Sequence, residues 1–493
     1  MQHWPRIAIT CLLFILLLGA CQSTQTSSAT TPVADADQSV TPTVPAELVF
    51  AEDARVAGID IAGMTVAEAS AHLLEELAAR DRTVRLQAGE EQVTIFLPAR
   101  DLEAEITDLL EEAQAQAAQE EPVEVPRELA LEETMLPDQL TRLAEAISST
   151  TTLELITATD TLTRSFAYRP GRSLDVDAAL EQITTELQSP DASAIITLDL
   201  EEDPNVPRPT FAQLQEQVNI IADEWNGVVG FYLEDPATGE TVTRNPDTVF
   251  SGASLLKVPI LLFAYTRIPE FGEEEERWMR EMIIESNNLS ANDLLAAAVG
   301  GTGTDAAYEG SKEMNVMLRE LGFQHTYQNM PYEAGDYLIG LRGLSIEYGP
   351  AQEGSPPYTE ADPIVRTTPA EISRIFVMID ACSRGEGQLL EQFTETLTAE
   401  DCQAILDLLA QNADKSRIAA GLPAGTRFEH KSGWTGDMHA DVGIVRSEGG
   451  DFLLATYIYQ EQNNSYLPDF RAARYISALS RLVYTAYNPE KVE

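Results

Sequence analysis

Between Phe250 and Phe263 the chain reads Phe-Ser-Gly-Ala-Ser-Leu-Leu-Lys-Val-Pro-Ile-Leu-Leu-Phe, and from Leu255 to Ala264 the only polar side chain is Lys257. A helix that is apolar on every side must lie inside a core, so this run demands a domain thick enough to enclose it, lysine included. Ser254 and Lys257 are three apart and share a helix face. Burial pushes an ammonium toward its neutral, basic form, and a serine hydroxyl becomes a useful nucleophile when a base takes its proton. The serine also sits at a helix start, where unpaired N–H groups favour developing negative charge. The same residues fit a blander reading, in which Lys257 snorkels out of a core helix and Ser254 merely begins it. A lone Ser-x-x-Lys does not choose between them. Pro259 removes a backbone donor and is expected to kink the first turns.

Upstream, the chain divides by composition. Residues 1–21 read as a targeting segment, with Arg6 ahead of an apolar stretch from Ile7 to Leu18. Leu18-Gly19-Ala20-Cys21 resembles a bacterial lipobox, which implies export and lipidation of Cys21. Residues 22–47 are rich in Ser, Thr, Pro and Ala, a composition that buries no core and suits a flexible tether. Folded structure is expected from Leu48. A strand-like Val56–Gly63 leads to Thr65-Val66-Ala67-Glu68, a capping box opening a helix to about Ala79, and strands follow at 83–86 and 92–97. The pattern partly returns at Gly171–Leu180, with Asp175 in the place of Thr65. The stretch Val56–Thr65 together with Pro170–Asp175 resembles the peptidoglycan-binding domains of bacterial envelope proteins, and that likeness covers residues 48–208 without identifying binding residues. A plain spacer fits these residues nearly as well. Asn205-Val206-Pro207-Arg208-Pro209 marks a boundary, leaving residues 209–493 for one large domain.

Within 209–493 the pattern predicts a helix from Phe211 to Trp225, a hairpin over 227–243, and the serine–lysine helix. Two apolar strands at 441–446 and 452–459 and a closing helix from about Asp469 to Tyr487 complete it. The expected class is α+β: a three-layer fold with an antiparallel sheet flanked by helices.

Two further motifs lie downstream. Ser286-Asn287-Asn288 forms a polar turn between two helical stretches, where a hydroxyl can relay a proton and an amide can hold a peptide-like group. A helix N-cap would use the same residue types. Lys431-Ser432-Gly433-Trp434 is expected on an edge strand, offering a positive charge and a hydroxyl to a carboxylate, with Gly433 permitting close backbone approach. The chain holds five lysines, and two, Lys257 and Lys431, fall in the three motifs, which makes chance matches less frequent.

Ser-x-x-Lys, Ser-x-Asn and Lys-Ser-Gly, in this order and context, resemble the penicillin-recognising serine enzymes, nearest to class A β-lactamases. The resemblance covers 209–493 and includes Arg366-Thr367-Thr368-Pro369-Ala370. It implies Ser254 as acylated nucleophile, Lys257 as its base and Ser286 as proton relay to the leaving nitrogen. It further implies Asn288 on the substrate amide, and Lys431 with Ser432 on a carboxylate. The backbone N–H groups of Ser254 and Trp434 would form an oxyanion hole. Three departures stand out. Ser254 and Ser286 are closer in sequence than is typical. A Gly/Pro-rich insertion around Gly349–Pro363 is placed to form a lid. No Glu-x-x-Leu-Asn segment precedes Arg366, and Glu347, Glu353 and Glu360 lie nearby without fitting it. That glutamate activates the water which clears the acyl-enzyme, so the motifs argue for acylation and not for fast deacylation.

The sequence reading is therefore an exported, lipid-anchored serine hydrolase facing the cell wall or periplasm, with β-lactam opening as the leading activity. The alternatives are a D,D-peptidase acting on peptidoglycan stem peptides and a non-catalytic cell-wall-binding lipoprotein. A net charge of −48 disfavours nucleic acid as a partner. The five histidines show no metal-ligand spacing, so neither a metal nor another cofactor is expected. Cys382 and Cys402 are left as a possible disulfide, against two separately buried thiols.

Overall fold

The computed structural model describes residues 48–80, 84–95, 102–127, 136–188, 195–461 and 466–492. The targeting segment, the tether and Cys21 lie outside them. Contacts divide the chain into two compact units, Met1–Glu76 with Leu102–Pro126, and Leu77–Asp101 with Arg127–Glu493.

The smaller unit is built on the short antiparallel pair Arg55–Val56 and Ile59–Asp60, joined in parallel by Glu124–Val125. The Val66–Arg80 helix starts there with the expected capping box. Glu68 accepts from Thr65 N at 2.9 Å, and Thr65 Oγ1 accepts from Glu68 N at 3.3 Å.

In the larger unit a five-stranded antiparallel sheet carries the architecture. Its strands are β1 (Val228–Glu234), β2 (Thr241–Arg244), β6 (Arg427–Trp434), β7 (Met438–Arg446) and β8 (Phe452–Tyr459), in the order β2-β1-β8-β7-β6. A second, small sheet joins β3 (Phe250–Ser251), β5 (Val365–Thr367) and β4 (Tyr327–Gln328), in the order β3-β5-β4. The main sheet is covered on both faces. Along β8, Phe452, Leu454 and Ile458 enter one core with α1 (Phe211–Asp223) and α8 (Asp469–Tyr487). Leu453, Ala455 and Tyr457 enter the other, as the period of two in a strand requires. That second core holds α2 (Lys257–Arg267), α3 (Glu273–Ile284), α4 (Asn288–Ala298), α5 (Gly303–Glu320), α6 (Pro369–Ser383) and α7 (Ala399–Leu409). The result is the three-layer α+β fold of the β-lactamase/transpeptidase type. No described helix is long and apolar enough to cross a membrane.

The cores also explain details the pattern left open. The hairpin of Thr152–Thr157 and Arg164–Arg169 packs on α8: Leu162 and Phe166 are buried in the α1/α8 core, and Phe166 N donates to Thr485 Oγ1 at 2.9 Å. Its second strand pairs in parallel with Glu490–Lys491. Cys382 and Cys402 form a disulfide tying α6 to α7.

Candidate active site

Ser254 lies in a single 3-10 turn, Ala253–Leu256, that runs directly into α2. The turn is fixed by Gly252 N donating to Val365 O at 2.7 Å and Leu255 N to Gly252 O at 3.0 Å, while Leu255 and Leu256 anchor it in the core. Ala253, just before Ser254, is left-handed at φ 44°. Pro259 is the third residue of α2, where the N–H groups have no intrahelical partner to lose. The expected break appears instead as the change from 3-10 to α geometry at Lys257.

Lys257 is completely buried, and its Nζ stands at the centre of the site. It reaches Ser254 Oγ at 3.0 Å, Ser286 Oγ at 3.2 Å, Ser286 O at 2.7 Å and Asn288 Oδ1 at 2.6 Å. Burial, with the charge of Lys431 adding to it, brings its ammonium down to about 7, while Glu333 pulls the other way. Near neutral pH this amine is therefore available as a base next to the serine hydroxyl.

Ser286 and Asn288 reach Lys257 by a route the sequence did not suggest. In the segment between α3 and α4, Ser286 is left-handed at φ 62°, and Asn288 already belongs to α4. Capping falls to the residue between them, since Asn287 Oδ1 accepts from Leu289 N and Ser290 N at 2.8 and 3.1 Å. Both flanking side chains are thereby released to the site.

The Lys431 motif is on β6, an edge strand of the sheet. A Cβ built on Gly433 would lie 3.1 Å from Ser254 N and 3.3 Å from the Ala253 Cβ, so the strand runs directly against the Ser254 turn. Lys431 is buried and donates to Ser432 O at 2.9 Å. Burial lowers it to about 8, with Asp441 and Asp414 opposing. Ser432 hydrogen-bonds Asp414; burial pushes that carboxyl up, but the Arg417 guanidinium and bonds from Ser416 and Ser432 carry it down to about 2. Trp434 is 62% exposed at the strand's end. His439 is taken up in packing: Arg417 donates to its Nδ1 at 2.9 Å, which leaves Nε2–H to donate to Leu467 O at 3.1 Å.

The sequence reading missed Glu333. Its Oε1 accepts from Asn288 Nδ2 at 2.7 Å, its backbone is left-handed at φ 56°, and it is solvent-exposed. Tyr332 before it is fixed to α4 through Asn292. Glu353, one of the three carboxylates considered, is committed elsewhere, accepting from His325 Nδ1 at 2.9 Å, Tyr327 OH at 2.8 Å and Arg366 Nη1 at 2.9 Å. These bonds also correct the lid expectation. The insertion is closed at its neck by Gly349 N to Pro363 O at 2.8 Å. It is stitched to the segment leading into Ser254 by Thr359 Oγ1 to Val249 O and Asp362 N to Ser251 Oγ. It braces that segment rather than standing free. Among the described residues no cluster of three or more His, Cys, Asp or Glu is arranged to hold a metal ion.

A buried lysine bonded to a serine, a second hydroxyl and an amide, beside an edge strand with a second lysine, defines a serine-hydrolase-like site. The chain belongs to the Beta-lactamase enzyme family, whose model matches residues 213–270 and 276–487, more than half of the chain. Among solved structures it is similar to a PBP-A mutant in an acyl-enzyme complex with penicillin G. That pair shares 20% identity over 58% of this chain and 99% of the other, with a TM-score of 0.41. A mutant of the class A β-lactamase of the last common ancestor of Gram-negative bacteria matches at 21% identity, over 56% of this chain and 99% of the other, also with a TM-score of 0.41. No curated protein matches.

Proposed function

We propose that this protein opens β-lactam amides through an acyl-enzyme on Ser254. The observation that carries the reading is Lys257 Nζ, buried and 3.0 Å from Ser254 Oγ while also within reach of Ser286 Oγ. Neutral Lys257 takes the serine proton as Oγ bonds to the lactam carbonyl carbon, and backbone N–H groups of Ser254 and Trp434 hold the oxyanion. As the C–N bond breaks, the proton passes from Lys257 through the Ser286 hydroxyl to the leaving nitrogen. Lys431 and Ser432 hold the substrate carboxylate, and Asn288 its side-chain amide. Glu333 then acts as general base for the water that releases the product. Its bond from Asn288 puts a carboxylate beside the site, which favours turnover of the acyl-enzyme over the D,D-peptidase alternative. The intact network around Lys257 likewise argues against a non-catalytic wall-binding protein. In this reading the enzyme is exported and anchored through Cys21, with the N-terminal residues contacting the cell wall, as Leu18-Gly19-Ala20-Cys21 and the likeness over 48–208 suggest.

The test is hydrolysis of a chromogenic cephalosporin by the chain from Cys21 onward, beside Ser254→Ala. Turnover by the parent and none by the variant is expected. Turnover that survives in Ser254→Ala would overturn the assignment.

A further inference from the structure

Tyr332 touches more of this site than any role above assigns it. Its backbone is clamped to α4, with Tyr332 N donating to Asn292 Oδ1 at 3.0 Å and Asn292 Nδ2 donating to Tyr332 O at 2.8 Å. From that anchor the side chain crosses to the nucleophile turn, where its hydroxyl donates to Ala253 O at 2.8 Å. Ala253 is the left-handed residue before Ser254, a conformation that persists only where the surroundings hold it. The face of the same ring lies 4.9 Å from Lys257 Nζ, within the range in which an aromatic face attracts a cation.

We propose that Tyr332 is a positioning residue for acylation: its hydroxyl holds the Ser254 turn through Ala253 O, and its ring faces the ammonium that Lys257 becomes. The proposal rests on the reading of Ser254 as nucleophile and Lys257 as base. When Oγ bonds to the acyl carbon, its proton moves to Nζ, which gains a full positive charge in a buried site. Ser286 O and Asn288 Oδ1 accept from that ammonium, Glu333 favours it and Lys431 opposes it. The ring adds its attraction to that of those acceptors.

The experiment measures the pH dependence of the second-order rate of benzylpenicillin acylation by intact mass. It compares the parent chain, Tyr332→Phe, and a chain carrying 3,4,5-trifluorophenylalanine at 332, which keeps the shape of phenylalanine and weakens the ring's negative face. Tyr332→Phe loses only the bond to Ala253 O and is expected to acylate roughly tenfold more slowly with its acid limb in place. The fluorinated ring disfavours the ammonium, so Lys257 is neutral at lower pH and the acid limb moves down by about half a unit relative to Tyr332→Phe. An unchanged rate in Tyr332→Phe would overturn the hydroxyl's role, and coincident limbs in the two variants would overturn the ring's. An adduct that persists in Ser254→Ala would instead remove the nucleophile reading, and this proposal with it.

Discussion

At the scale of residues, the proposed chemistry depends on two buried lysines set to different values. Lys257 has to be neutral to accept the serine proton, and burial beside Lys431 brings it to about 7. Lys431 has to be charged to hold a carboxylate. Burial lowers it only to about 8, because Asp441 and Asp414 oppose the fall. A base that must be deprotonated gives an acid limb, and a cation that must stay protonated gives an alkaline one. The kcat/KM for a β-lactam is accordingly expected to be bell-shaped, with its maximum between about pH 7 and 8, in a pH-rate series at constant ionic strength. Replacing Asp441 by Asn removes a charge that supports the Lys431 ammonium, so the alkaline limb moves to lower pH. A limb that stays in place would separate Lys431 from carboxylate binding. The left-handed backbones of Ala253, Ser286 and Glu333 belong to the same account. Each is a non-glycine residue held where L-residues are strained, and each adjoins or carries a group aimed at Lys257.

At the scale of elements, the site is as rigid as the pieces that launch it. The Ser254 turn is held by the small sheet β3-β5-β4 behind it, by the braced insertion and by Gly433 of β6 packed against it. Two stability predictions follow from packing. Phe166 is buried under α8 although it lies far upstream of β1, so Phe166→Ala should cost about 3–5 kcal/mol in urea unfolding. A chain begun at residue 209 should be less stable for the same reason. The Cys382–Cys402 disulfide closes a loop of 20 residues between α6 and α7. Its removal by Cys382→Ala with Cys402→Ala should cost roughly 3 kcal/mol in the same assay. The sequence showed α1, the β1–β2 hairpin, β7, β8 and α8 closely, because in each a period of 2 or 3.6 was bounded by turn residues. It did not show that the 152–169 hairpin joins the α8 core. That contact spans more than 300 residues of separation, and no local pattern encodes it.

For the whole molecule, the three motifs were legible because each carries its chemistry in adjacent residues, and the fold brings them to one lysine. Glu333 was not legible as a candidate base. A glutamate was sought just before Arg366, whereas Glu333 lies ahead of the insertion at 349–363 and is followed by Ala-Gly-Asp-Tyr, outside the Glu-x-x-Leu-Asn pattern. Only the fold, by docking Tyr332 on Asn292, brings the Glu333 carboxylate to Asn288. The central claim is a complete cycle, with acylation of Ser254 followed by release through Glu333. Its most direct test is time-resolved intact mass after benzylpenicillin is added to the parent chain and to Glu333→Gln. The account predicts a transient adduct on the parent that decays as hydrolysed penicillin accumulates. On the variant it predicts an adduct that forms at a similar rate and persists at least ~100-fold longer. A long-lived adduct on both, decaying at the same rate, would contradict the role of Glu333 and return the molecule to a penicillin-binding peptidase. No adduct on either would contradict the cycle altogether.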